Sequence, residues 1–168
     1  MQVDLVFYSD VCTETYKEHL NYNFYIQGIS RALLQELCRH RIASLSVKST
    51  RYTLKELKDE DSFSEKDLKR AEKYLVFTDI KEVNIASLKA LENLRRLVKS
   101  GVSNDKVKYC LPESYKTELH WSVNARSLQN FLTLRSDKSA LWEIRDLAKK
   151  IYNEIPDEHK YLFTIKNS

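Results

Sequence analysis

Arg39-His40-Arg41, followed within ten residues by Ser44, Ser46, Lys48, Ser49, Thr50 and Arg51, concentrates cations and hydroxyls in one stretch. Guanidinium forks match phosphate and carboxylate oxygens two at a time, and hydroxyls add neutral donors beside them. The chemistry suited to such a stretch is the holding of a phosphate or another oxyanion. Taken alone it reads more simply as the solvated end of a helix than as a site, since cations are favoured by the negative end of the dipole.

A second group follows at Asn124-Ala125-Arg126 and Asn130, closing on Arg135. Arg126 and Asn130 are four apart and share a helix face, and a helix start carrying them suits an anion or the edge of a ring. Arg135 lies nine residues after Arg126, half a turn round a helix, so the two do not hold the same atom group. Either they serve different ligands or one is structural, and the segment by itself reads most simply as an amphipathic helix with surface arginines. Cys12, Cys38 and Cys110 form no CxxC pair, and Cys12 and Cys110 lack any local base. Cys38 falls in the helix before the basic stretch and reads as a small buried hydrophobe. His19 and His120 read as structural and His159 as exposed. Four scattered histidines without paired cysteines or carboxylates give no metal site.

The chain has 168 residues, which indicates one domain, and 42% hydrophobic content is enough for a core. A net charge of +4 with 31% charged residues is too balanced for a general nucleic-acid binder. Three widely spaced cysteines give no disulfide framework, so a cytoplasmic location is expected. No apolar run approaches the ~20 residues of a membrane span, and Met1-Gln2-Val3-Asp4 does not begin a signal peptide.

The elements that must carry these residues follow from periodicity. Val3 to Tyr8 is a short strand. His19 to Gln27 alternates, with Leu20, Tyr22, Phe24 and Ile26 on one side, as a half-buried strand does. Gly28 ends it and Ser30 caps a helix to about Arg39, with Ile29, Leu33 and Leu37 inward. Arg51 to Thr53 reads as a brief strand and Lys55 to Asp61 as a solvated loop. Helices are expected from Ser64, from Glu82 to Lys99 with Val83, Ala86, Ala90, Leu91, Leu94 and Leu97 inward, and briefly from Ser103. Gly101 suits the C-terminal cap of the long one. Thr117 to Val123 reads as a strand, Asn124 to Arg135 and Ala140 to Tyr152 as helices, and the tail after Pro156 as a last helical turn. With only two glycines and two prolines, the class is α+β, helix-dominated, with a small, mostly antiparallel sheet.

Arg39-His40-Arg41, seven residues, Ser49, then Arg51-Tyr52 resembles the signature of the flavin-dependent thymidylate synthases. The Asn124–Arg135 string, Glu143-Ile144-Arg145 and Glu18-His19 resemble further segments of that family in the same order, from about Glu18 to Phe163. The resemblance implies the fold of the thymidylate synthase-complementing proteins, one domain over 1–168, and reductive methylation of dUMP to dTMP. FAD is the implied redox cofactor, with 5,10-methylene-tetrahydrofolate as carbon donor and NADPH as reductant. It implies FAD contacts at Arg39, His40, Arg41, Val47, Asn124, Ala125, Arg126 and Asn130. The implied dUMP contacts are Glu36, Arg39, Lys48, Ser49, Thr50, Arg51, Lys108 and Arg135. Arg135 is the implied catalytic residue, stabilising negative charge on the uracil ring in place of a cysteine nucleophile. A homotetramer with shared sites is implied too, with no nucleic-acid or membrane partner.

The chain departs from the family at several positions. Glu36 stands where many relatives have glutamine and must find a cation, Arg39 or His40 by spacing. Val47 replaces a common glutamate, and Lys108 a common arginine, keeping the charge without the fork. Relatives also place a helix and a histidine-containing loop between the first strand and Glu18-His19. Here Cys12-Thr13 passes to Glu14 with almost nothing between, as if that stretch were absent. The competing reading is a non-enzymatic nucleotide- or RNA-binding module using residues 39–51.

Overall fold

The structure is a computed structural model and describes residues 1–10 and 17–165. The junction near Cys12-Thr13-Glu14 lies outside the described residues. The chain forms two compact units, Met1–Ile29 with Leu33–Val47 and Glu118–Ser168, and Ser30–Ala32 with Lys48–Thr117.

The first unit is a four-stranded sheet against helices. Its strands are β1 (Gln2–Tyr8), β2 (Asn21–Ser30), β3 (Ala43–Val47) and β4 (Lys116–Asn124), in the order β1-β2-β4-β3. β1 runs antiparallel to β2 and β3 antiparallel to β4, with Leu45 opposite Trp121. The alternation expected in β2 is present: Tyr22, Phe24 and Ile26 are buried and their neighbours are not. Beneath them Trp121 and Val123 of β4 meet Leu128, Phe131 and Leu132 of α6 (Ala125–Arg135) and Ile144, Leu147 and Ile151 of α7 (Trp142–Glu154). Ile29, Leu33 and Leu37 on and before α1 (Arg31–Leu37) are fully buried, as their spacing predicts.

β3 was not expected. Ala43-Ser44-Leu45-Ser46-Val47 alternates small polar with apolar residues, a weak strand signal that pairing with β4 completes. Cys38 is exposed rather than buried, because the buried stripe of α1 ends at Leu37. His159 is 1% exposed rather than solvated. Its Nδ1 lies 2.7 Å from the Tyr22 hydroxyl, and the rings of Tyr8 and Tyr22 meet it edge to face. The buried Leu162 and Phe163 at the end of the final 3-10 helix, Asp157–Leu162, draw it inward.

The second unit is helical: α2 (Thr50–Glu56), α3 (Leu68–Ala71), α4 (Lys81–Lys99) and α5 (Asn104–Val107). α2 corrects the strand expected at Arg51–Thr53 and takes in Lys55 and Glu56, the first two residues of the expected loop, whose remainder to Asp61 is irregular. Leu54 and Leu57, three apart, are both fully buried, and that pairing holds the segment helical despite its charge. The buried stripe of α4 is Leu88, Leu91, Leu94, Arg95 and Val98; Val83 is 47% exposed, so the stripe starts a turn later than expected. Buried Arg95 is held by a two-pronged bond to Glu92, with both contacts at 2.7 Å. Glu92 also accepts from the Phe63 amide, so this buried charge is paired. Gly101 takes φ 86° after α4, where a side chain would be strained.

Candidate functional site

In the first unit, the turn after α1 and one face of α6 enclose a cleft of about 320 Å³ lined by Arg39, His40, Arg41, Ile42, Ser127, Asn130, Leu134 and Arg135. Ser127, Asn130 and Leu134 follow at intervals of three and four, one side of α6. Asn124 caps that helix, its side-chain oxygen accepting from the Ser127 amide at 2.9 Å. Ala125 is fully buried, with its amide bonded to the Leu20 carbonyl at 2.8 Å. Arg126 reaches Glu18 at 3.0 Å, whereas Arg135 lies in the cleft wall, so the half-turn between them separates their partners as expected.

Arg135 is the most constrained of these residues. Its Nη1 donates to Glu36 Oε2 at 2.6 Å, its Nη2 to the Glu36 carbonyl at 3.2 Å, and its Nε to His40 Nε2 at 2.9 Å. Its side chain is only 14% exposed. Glu36 therefore answers mainly to an arginine 99 residues away and only loosely to Arg39, at 3.5 Å. A guanidinium can only donate, so His40 Nε2 is the acceptor and the ring carries its proton on Nδ1. Burial first, then the Arg135 and Arg39 cations, hold His40 down to about 4, against the pull of Glu36. His40 is neutral at pH 7, and its ring meets Phe131 edge to face at 5.1 Å.

This shift has a sign that can be measured. Between the ordinary value of 6.5 and about 4 the unfolded chain binds a proton that the folded chain refuses, so stability falls as pH falls through that window. The contribution is at most about 1.4 kcal/mol per pH unit. His40→Gln is expected to flatten the dependence of the urea midpoint on pH between 7 and 4 by that amount. Parallel curves for the two proteins would mean that the folded ring titrates normally.

In the second unit, Arg51, Tyr52, Lys55, Asn104 and Asp105 line a hollow of about 330 Å³. Arg51 pairs with Asp105 at 3.3 Å, both side chains well exposed, and its carbonyl accepts from Asn104 Nδ2 at 2.8 Å. Ser49 is the N-cap residue of α2 but makes no side-chain cap bond, and the Thr50 carbonyl accepts from the Thr53 hydroxyl. Lys108 is exposed in the short 3-10 helix Lys108–Cys110. Val47 ends β3, 40% exposed opposite Leu119.

Sequence reasoning missed Ile42, Ser127 and Leu134 in the cleft, and Lys55, Asn104 and Asp105 in the hollow. The spacing of 127, 130 and 134 was a usable signal, as was Ile42 standing apolar among cations. Ile42 and Leu134 are 73% and 54% exposed beside three arginines, so the cleft offers apolar surface and positive charge together. Among the described residues no histidine, cysteine and carboxylate group is placed to hold a metal, and no helix is long and apolar enough to cross a membrane.

Such a cleft, with apolar surface beside forked cations, suits a ligand that joins a planar ring to anionic groups. The family model described as thymidylate synthase complementing protein matches residues 11–159. A flavin-dependent thymidylate synthase of Wolinella succinogenes is 70% identical over 148 residues, covering 88% of this chain and 72% of that protein. One from Campylobacter jejuni is 62% identical over 146 residues, covering 87% and 70%. The crystal structure of thymidylate synthase X from Helicobacter pylori with FAD and dUMP superposes with a TM-score of 0.91, at 46% identity, over 97% of both chains. The chain belongs to the flavin-dependent thymidylate synthase family, and it is an enzyme rather than a non-enzymatic nucleotide-binding module.

Proposed function

We propose that the enzyme converts dUMP to dTMP with 5,10-methylene-tetrahydrofolate as carbon donor, NADPH as reductant and FAD as cofactor, without a cysteine nucleophile. The observation that carries this reading is Arg135, fixed in the wall of a cleft that also presents Arg39, Arg41 and Asn130. The Helicobacter pylori relative is bound to FAD and dUMP.

The residues of the cleft fit a flavin. Ile42 and Leu134 offer exposed apolar surface to a ring system, and Arg39 and Arg41 offer forks to phosphates. Asn124, with its carbonyl spent on the helix cap, retains its amide donors, and Asn130 presents an amide to the cleft. FAD, when bound, supplies the redox chemistry of the reaction. The chain's own contribution is placement and charge. Carbon 5 of uracil is a poor nucleophile, and a guanidinium beside the ring favours the ring anion that makes it a better one. Among the described residues, neither Cys38 nor Cys110 lines the arginine cleft.

Lys48, Ser49, Thr50, Arg51 and Lys108 are assigned to the nucleotide phosphate, Glu36 and Arg39 to further contacts with the nucleotide, and Val47, Ala125 and Arg126 to FAD. Ser49→Ala is expected to raise the KM for dUMP about tenfold or more, the value of one charge-assisted hydrogen bond, and to change NADPH oxidation much less. An unchanged KM would remove Ser49 from the phosphate site.

The enzyme acts in the cytoplasm as a homotetramer with shared sites, a state that light scattering on the purified protein reads directly. The activity is tested by the visible spectrum, anaerobic addition of NADPH with and without dUMP, and assay of dTMP with the folate. A flavin band that bleaches at a dUMP-dependent rate, followed by dTMP, is expected. A protein that takes up no FAD, or forms no dTMP, overturns the reading.

A further inference from the structure

We propose that Glu36 and His40 are positioning residues that act through Arg135, clamping its guanidinium so that only its remaining N–H groups are offered to a ligand in the cleft. The proposal rests on the reading of Arg135 as the residue that meets the uracil ring. It gives Glu36 and His40 a task separate from any direct contact with nucleotide or flavin.

The guanidinium has five N–H groups. Three are spent inside the protein, on the Glu36 carboxylate, the Glu36 carbonyl and His40 Nε2. Two remain. A freely rotating arginine would present any pair of its donors, whereas this one is held at three points.

The clamp is itself held. Glu36 and His40 are four residues apart where α1 ends, and the His40 amide bonds back to the Leu37 carbonyl at 3.0 Å. Phe131 and Arg135 are also four apart, on α6, so they share a face. The His40 ring has Phe131 edge to face at 5.1 Å, while its Nε2 accepts from Arg135 at 2.9 Å. Phe131 is fully buried and packs edge to face on Trp121 at 5.0 Å. The orientation of Arg135 is thus transmitted from the core of the sheet through one neutral ring. Glu36 further places one carboxylate between the Arg135 and Arg39 cations, so the two guanidinium groups approach the cleft without an uncompensated repulsion. The charged groups acting on His40 are Arg135, Arg39 and Glu36.

The requirement is for hydrogen-bond acceptors at both positions. His40→Gln retains an acceptor for Arg135 Nε, and His40→Leu does not. Glu36→Gln retains one for Nη1, and Glu36→Ala does not. The measurement is kcat and KM for dUMP in dTMP formation, per mole of bound flavin, with circular dichroism as the check on folding. Glu36→Ala and His40→Leu are each expected to lower kcat tenfold or more, since small misplacements of a catalytic group cost up to about 10²-fold. KM for dUMP is expected to move much less, and the two glutamine variants should recover most of the loss.

In the Arg135→Ala background, with product accumulated over hours and read by mass spectrometry, neither substitution should lower the residual rate more than about threefold, because residues acting as one unit are not additive. Three outcomes overturn the proposal. If losses multiply in that background, Glu36 and His40 act independently of Arg135. If Arg135→Ala alone abolishes turnover while Glu36→Ala and His40→Leu retain wild-type kcat, the clamp is dispensable and ring activation by Arg135 stands. If Arg135→Ala itself turns over normally, the reading of Arg135 and the clamp fall together.

Discussion

Arg135→Ala is expected to lower dTMP formation by about 10²–10³-fold, the usual cost of removing one preorganised donor from a site of developing negative charge, while the protein still binds flavin. Flavin retention is expected because Arg39, Arg41 and Asn130, the residues assigned to the flavin, still line the cleft when Arg135 is removed. The substitution also leaves a mark inside the protein. His40 Nε2 loses its donor and the ring, still partly buried, loses the Arg135 cation that together with burial and Arg39 holds its pKa down, so His40 should titrate closer to 6.5 in the variant. Proton NMR of the imidazole read across pH 4–8 gives that shift independently of any assay. A variant with normal turnover would show that Arg135 does not activate the ring, and one that has lost its flavin while still folded would show that Arg135 serves the cofactor.

Much of this arrangement was legible in the chain, and the remainder has identifiable causes. β2 was plain because one face of a sheet is buried, so side-chain period and burial coincide over Tyr22, Phe24 and Ile26. Helix α6 was plain for a similar reason, since Leu128, Phe131 and Leu132 recur at helical spacing, although the role of Asn124 as its cap was not read. β3 was missed because its serines weaken the alternation and its stability comes from β4, about 80 residues away. α4 was found within one residue of its bounds, but Arg95 was left off its buried stripe, because a buried arginine looks like a surface residue until its partner Glu92 is seen. Cleft residues were identified by type, yet the tie between Glu36 and Arg135 has no local signature. The spacing pointed to Arg39 or His40, which are near in sequence, whereas the shorter contact is to a residue on another helix. Sequence reasoning reaches interactions within a helix turn; long-range pairing depends on how the sheet sets α1 beside α6.

That dependence makes Phe131 the position where core and site are least separable. Phe131→Ala removes a fully buried ring between Trp121 and His40. Large-to-small substitution there is expected to cost about 3–5 kcal/mol, a substantial part of the ~5–15 kcal/mol that holds a domain of this size together. The melting temperature should fall by roughly 6–20 °C. Loss of stability alone says nothing about the site, so the informative comparison is Leu128→Ala, on the same helix, fully buried and expected to cost a similar ~2–5 kcal/mol. Leu128 makes no ring contact with His40, so its removal should leave turnover near wild type at temperatures where the protein is folded. Phe131→Ala, assayed at the same low temperature, should lose turnover as well, because the ring that accepts from Arg135 has lost the surface it leans on. Equal turnover in the two variants would mean that His40 is held by its hydrogen bond and backbone turn alone, and that the aromatic chain from Trp121 carries stability without orientation.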